Sequence, residues 1–229
     1  MLTKQQFFGT DLPINKLAIN QTNLQSQISQ CGFDNSPIIL VNQVHGNNIL
    51  IIDNAKNIPT KAIEADAIIC CISNINIGIL TADCVPIILH DNMQKIIAVI
   101  HAGWHGALTD IAYKTAQKMY DLGSKAENIT AKIGPCIRQQ SYEVGAEFYE
   151  NFLQKNDKND RFFIKSSQKN HFLFDLPSFV KENLQNAGVK NIKDTEIDSY
   201  DNKDYFSHRR STHLAENDEM RNLTLASIN

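Results

Sequence analysis

Four short apolar runs crowd one stretch of the chain: ADAIICCIS, IGILTA, PIILHD and KIIAVIH, all within residues 65–101. They are rich in Ile and Val and bounded by Asn, Asp, Gly or Pro. Runs this short, with β-branched residues and such flanks, are strands rather than buried helices. HDNMQK joins the last two as a hairpin connection. Upstream, PIILVNQV and NILIID read as two more strands around HGN, a Gly/Asn turn. The period then changes. Leu108, Ile111, Ala112, Thr115, Ala116, Met119 and Leu122 mark one helical face over 107–122, and Gly123 is a suitable stop. NITAKIG is a further strand. GAEFYENFLQ and LPSFVKENLQNAG are shorter helices, the second ended by Gly188. The polar stretch 154–161, QKNDKNDR, reads as a mobile surface loop. Strands that pair locally and then alternate with helices predict an α/β fold. The expected architecture is one domain, 1–229, of layered mixed β-sheets flanked by helices.

A chain of 229 residues with 42% hydrophobic residues can bury a core without staples. The net charge of −3 gives no basic field, so no nucleic-acid partner is expected. No apolar run is long enough to span a bilayer, so no membrane partner is expected either. MLTKQQFFGTDLPINK lacks the apolar region of a signal peptide. The five cysteines include an adjacent pair, Cys70 and Cys71. An odd count with no secretory signal predicts reduced thiols and a cytoplasmic location.

Three polar residues stand at the ends of apolar strands: His45, Cys84 and His101. Strands in a twisted sheet can bring such ends together. Two imidazoles and a thiolate are a borderline-soft donor set that suits Zn²⁺, and three protein ligands leave a fourth position open, as in catalytic sites. The spacing alone leaves another reading: His45 capping a turn, Cys84 in the core, His101 satisfying a buried backbone group. Asp83 is either an orienter of a ligating imidazole or a turn residue. Cys136, in IGPCI, stands near the site or is a packed thiol. Arg209 and Arg210, in SHRR, form either a phosphate clamp or an exposed salt-bridged pair. Trp104 stacks on a ring or belongs to the core.

NQVHG, EADAII, LTADCVP, AVIHAGWHG, IGPCI…SYEV, FDL and YFSHRR occur in one order over about residues 38–228. In this the chain resembles the YfiH-like family, also called the multicopper polyphenol oxidase or laccase-domain family. The resemblance implies a fold similar to the deamidase domain of cytotoxic necrotizing factor. It implies a zinc site on His45, Cys84 and His101, with copper the alternative from the laccase label. It also implies phosphorolysis of adenosine, inosine, guanosine and methylthioadenosine, together with adenosine deamination. The expected partners are purine nucleosides and phosphate, and the expected state is a monomer or homodimer. In this frame Asp83 and Arg210 are the expected catalytic residues, Arg210 holding phosphate with Arg209 as its alternate. Gln43, on the strand face of His45, Trp104 and Arg209 are the expected substrate contacts.

Two departures from the family pattern bear on phosphate capture. The motif usually reads HAGWRG or HAGWKG, whereas position 105 here is His, so a permanent cation gives way to an imidazole. The N-terminal segment is shortened and lacks the usual Arg. Three rival readings follow from the same residues. One is copper-dependent phenol oxidation. Another is a metal-free thiol enzyme with Cys84 as nucleophile and His101 or His45 as base. The last is a non-catalytic zinc-binding module.

Overall fold

Strands whose two faces are both covered need apolar residues at every position, and the runs at 65–101 meet that demand. The structure, a computed structural model, describes residues 3–17, 19 and 21–228. Its strands form three sheets. The six-stranded sheet has the order β13 (Asn191–Asp194), β9 (Ile129–Ile133), β7 (Val85–Asp91), β8 (Ile96–Ala102), β5 (Ala67–Cys70), β4 (Ile49–Ile52). A second sheet runs β1 (Thr3–Phe8), β14 (Met220–Ile228), β6 (Asn76–Thr81), β3 (Ile38–Leu40), and β2 (Ile14–Asn15) pairs with β14. The small third sheet is β10 (Glu143–Gly145), β12 (His171–Phe174), β11 (Phe163–Lys165). The helices are α1 (Gln21–Gln30), α2 (Trp104–Leu108), α3 (Ile111–Asp121), α4 (Ala146–Lys155), α5 (Leu176–Asn186) and α6 (His208–Leu214).

Alternation along each strand sorts the core into layers. Ile87 and Leu89 of β7 join Ile111, Ala112 and Ala116 of α3 and Val180 and Leu184 of α5 in one cluster. Ile88 of β7, with Ile97 and Val99 of β8, packs instead against Ile77 and Ile79 of β6 and Ala226 and Ile228 of β14. The far side of that second sheet is closed by α1, whose Leu24 and Ile28 meet Phe8, Leu223 and Leu225. The order is thus helix, sheet, sheet, helices.

The β7–β8 hairpin is present, with Asp91 opposite Ile96. Asp91 Oδ1 accepts the backbone N–H groups of Met93 and Gln94 in its turn. The strand at β9 and the stops at Gly123 and Gly188, both with positive φ, also agree with expectation. Other elements differ. PIILVNQV and NILIID do not flank a simple turn. β3 ends at Leu40 and pairs parallel with β6, whereas β4 pairs parallel with β5 in the other sheet. Residues 41–48 therefore cross between sheets, and His45 lies in that crossing rather than at a strand end. The helix expected over 107–122 is broken at Asp110, which has φ 67° and is paired with Lys155 at 2.6 Å. The break frees α2 to lie in a different direction from α3. The stretch 154–161 is not a loose loop. It closes α4 and forms a 3-10 turn, Asp157–Phe162. There the buried Asn159 donates to the Phe152 carbonyl and Tyr149 donates to Asp160. Sequence patterning does not predict β1, β2, β10–β13 or β14, the last of which lies inside its sheet between β1 and β6.

Ile88 and Leu89 are both fully buried but face opposite layers. Replacing either with Ala should cost about 2–5 kcal/mol. Chemical denaturation of each variant measures the loss, and a cost near zero for Ile88→Ala would contradict direct packing of the two large sheets.

Candidate metal centre

Three segments meet at one end of the central strands of the six-stranded sheet: the 41–48 crossing, the turn between β6 and β7, and the end of β8. They carry His45, Cys84 and His101. The ligand-capable atoms of these three residues all lie within 4.8 Å of one another. The imidazole rings stand edge to face, 4.7 Å between centroids. Burial is graded across the set, with His45 exposed, Cys84 half-buried and His101 buried.

Asp66, fully buried just before β5, organises the set. One of its oxygens takes both the His101 ring, with Nδ1 at 2.8 Å, and the His45 N–H at 2.9 Å. The other takes the N–H groups of Gly46 at 2.7 Å and Val44 at 3.3 Å. Burial raises the Asp66 carboxyl, but the bonds from His101, Gly46 and Val44 outweigh it and hold the group below its ordinary range. A carboxylate at Nδ1 makes that nitrogen the proton carrier and leaves Nε2 of His101 free as a ligand. The backbone accommodates this crowding through glycine. A Cβ on Gly103 would lie 2.9 Å from His45 Cδ2 and 3.1 Å from Cys84 Sγ, and one on Gly106 would lie 2.8 Å from the Gly46 carbonyl. Both glycines are needed for close approach; Gly103 itself has ordinary φ, −71°. Two nitrogens and a sulfur converging beside a side-chain-free backbone are a donor set that fits a Zn²⁺-like or copper ion.

The electrostatics favour the deprotonated sulfur. Burial raises the Cys84 thiol, yet the charge and hydrogen bond of His101, helped by His45, bring it down to about 6. Burial lowers His101, but Cys84 and Asp66 raise it to about 9. Cys136 behaves differently: burial pushes its thiol up, and it packs in the core among the helix-facing residues. It is the packed thiol of the two readings.

The three donors line a cleft of about 1270 Å³. Gln43, Asp83, Trp104 and Arg209 line it too. Gln43 is committed to structure, since its amide both donates to and accepts from the backbone of Leu80. Asp83 does not orient an imidazole, a task that falls to Asp66. Its φ is 84°, and its carboxylate accepts from Ser199 Oγ at 2.7 Å and from the Arg209 N–H at 2.6 Å. It therefore ties the Cys84 turn to the start of α6. Trp104 is half-buried, 5.1 Å from the Phe148 ring. Arg209 donates to the Glu143 carbonyl at 2.9 Å and lies over the Tyr142 ring at 5.4 Å. Arg210 is not a lining residue. Its guanidinium is spent on the carbonyls of Ser199, Tyr200, Asn202 and Tyr205. The expected double clamp thus resolves into one cleft cation and one structural one, so Arg210 is not placed to hold phosphate. His105 also lies away from the cleft lining, its Nδ1 against the His45 carbonyl.

Sequence reasoning passed over Asp66, Tyr142, Lys16 and Arg221, the last three of which line the cleft. Asp66 had a readable signal. It is a charge placed directly before an apolar strand, and a buried carboxylate requires partners. Lys16 supplies the cleft with a cation from the N-terminal segment.

The family model described as multi-copper polyphenol oxidoreductase laccase matches residues 15–217. The chain belongs to this family. The motif resemblance to YfiH-like proteins is thereby borne out. A relative from Rickettsia conorii, named purine nucleoside phosphorylase, is 44% identical over 80% of this chain and 75% of its own. A protein named adenosine deaminase, from an unknown prokaryotic organism, is 33% identical over 79% of this chain and 72% of its own. The crystal structure of the hypothetical protein YfiH from Bacillus licheniformis shares the fold. It superposes with a TM-score of 0.79 at 20% identity, covering 90% of this chain and 80% of the other. Among the described residues, no helix is long and apolar enough to cross a membrane.

Two outcomes follow from this geometry. Asp66→Asn should weaken metal binding by roughly 10–100-fold, read by competition with a chromophoric chelator; an unchanged affinity would remove Asp66 from the site. In metal-free protein, Cys84 should alkylate faster than Cys136. Its rate should rise with pH through about 6 and then level off, because the lowered value puts the thiolate above that pH. Mass mapping of iodoacetamide adducts across a pH series checks the order and the midpoint.

Proposed function

We propose that the cleft binds a purine nucleoside over a zinc ion held by His45, Cys84 and His101. The proposed reactions are phosphorolysis of adenosine, inosine, guanosine and methylthioadenosine, and deamination of adenosine. The observation that carries this reading is the three-donor set at the wall of a large cleft. The cleft exceeds the ~300–1,000 Å³ usual for small-molecule sites, which suits a nucleoside and an oxyanion together. Relatives named for purine nucleoside phosphorylase and adenosine deaminase support the substrate class. A zinc ion held by these three residues would supply Lewis acidity. Copper is the weaker choice, because one His₂Cys set lacks the extra histidines of a multicopper cluster. In this reading the 1–229 chain acts as one cytoplasmic domain.

The chain's own residues then have definite tasks. Trp104 offers a flat apolar face to the base. Arg209, fixed by Glu143 and by Tyr142, holds the attacking phosphate near the anomeric carbon. In phosphorolysis the C–N glycosidic bond breaks, a C–O bond to phosphate forms, and the proton of the attacking hydrogen phosphate passes to the departing purine. Tyr142 keeps its own proton, since burial pushes its hydroxyl up, and so serves as a hydrogen-bond donor. In deamination, water adds at C6 and ammonia leaves. Asp83 serves both reactions indirectly, by fixing Arg209 and the Cys84 turn.

A second reading is favoured by the lowered Cys84 thiol beside a raised His101. That pair resembles a thiol nucleophile and its base.

Purified protein should be analysed for metal and incubated with adenosine, with and without phosphate. Adenine release that depends on phosphate and inosine formation that does not are expected, and both should vanish with the metal in His101→Ala. Arg209→Ala should cut only the phosphate-dependent product, on the order of 10²-fold. Full metal with no turnover would favour a binding module. Activity that survives metal removal but not Cys84→Ser would favour the thiol enzyme.

A further inference from the structure

We propose that His105 is a positioning residue for the ligand His45, holding the 41–48 crossing from its solvent side. The proposal rests on the reading of His45, Cys84 and His101 as metal ligands. His105 Nδ1 lies 2.9 Å from the carbonyl oxygen of His45, 60 positions away in sequence. A carbonyl only accepts, so Nδ1 bears the hydrogen and donates.

The His45 backbone has φ 59°, a left-handed conformation that residues with side chains seldom adopt without restraint. Restraint comes from two sides. Inside, Asp66 accepts the N–H groups of Val44, His45 and Gly46. Outside, the His45 carbonyl cannot be bonded by the Asp66 carboxylate, which has no hydrogen to donate, and His105 takes it. The helix carrying His105 is pressed onto the loop, because only a glycine at 106 fits against the Gly46 carbonyl. Asn47 adds a second tie, donating to the Thr109 carbonyl at 3.1 Å. His105 is itself fixed. Its own carbonyl accepts from Thr109 N and Oγ1, and its ring stands edge-on to Trp104 at 5.6 Å. Without the outer bond the 45–46 peptide is held only through its Gly46 N–H on Asp66, and the backbone that carries the His45 ring loses one of its two anchors. Of the three ligands His45 is the exposed one, so it has the least packing to hold it otherwise.

This assignment gives a task to the imidazole that stands where the family pattern has a permanent cation. The side chain is turned to the loop and does not line the cleft.

The test uses the full chain loaded with zinc and, separately, with cobalt(II), whose absorption bands report ligand geometry. His105→Ala should release zinc to excess chelator roughly 10-fold faster than wild type and shift the cobalt bands. His105→Asn, whose amide N–H can reach the same carbonyl, should restore both readouts. His171→Ala, which removes an imidazole bonded to the Lys169 carbonyl away from the site, should change neither. Wild-type release and spectrum in His105→Ala would overturn the proposal, as would equal impairment in the Ala and Asn variants. A wild-type chain that takes up neither metal would instead sink the ligand reading itself, and this proposal with it.

Discussion

One buried carboxylate holds the site together. Asp66 sits at the start of β5 with no exposure, yet it is charged, because four donors surround it. Three are backbone N–H groups of the crossing that carries His45, and the fourth is the ring of His101. A single residue therefore fixes one ligand's backbone and the other's ring orientation. Removing an acceptor with four partners would leave four buried or half-buried donors without a bond, which costs more than any one of the bonds contributes. Cys84 is held separately, through Asp83 and its links to Ser199 and Arg209.

The layered fold explains why these segments meet. Two sheets packed face to face leave their connections at the sheet edges. The crossing from β3 to β4 must travel from one sheet to the other, and so must the turn from β6 to β7. Both pass the end of the central strands where β8 gives way to α2. The broken helix belongs to this arrangement. The left-handed Asp110 separates α2, which leans on the His45 loop, from α3, and both helices contact β8 and α5.

The two arginines of SHRR show how little a neighbour relation in sequence says about direction. They are consecutive on α6, so their side chains point about 100° apart. Arg209 turns to the cleft, and Arg210 turns back to bind four carbonyls of the 199–205 segment. The same holds for His101 and His105: one is a buried strand residue on Asp66, the other an exposed helix residue on the His45 carbonyl.

The sequence by itself determined the central strands and the longer helical faces, because apolar periodicity is local. The runs at 65–101, the amphipathic face at 111–119 and the stops at Gly123 and Gly188 are each legible within a few residues. It also singled out His45, Cys84 and His101, because soft donors bordering apolar runs are unusual. Tertiary structure alone decided the partners. That Asp66 orients His101 while Asp83 caps α6 depends on contacts between residues 35 and 126 positions apart. That β14 completes the second sheet depends on pairing with β1 and β6 from the other end of the chain. Such choices are made by which donors lose water together when the layers close, and no local pattern records that.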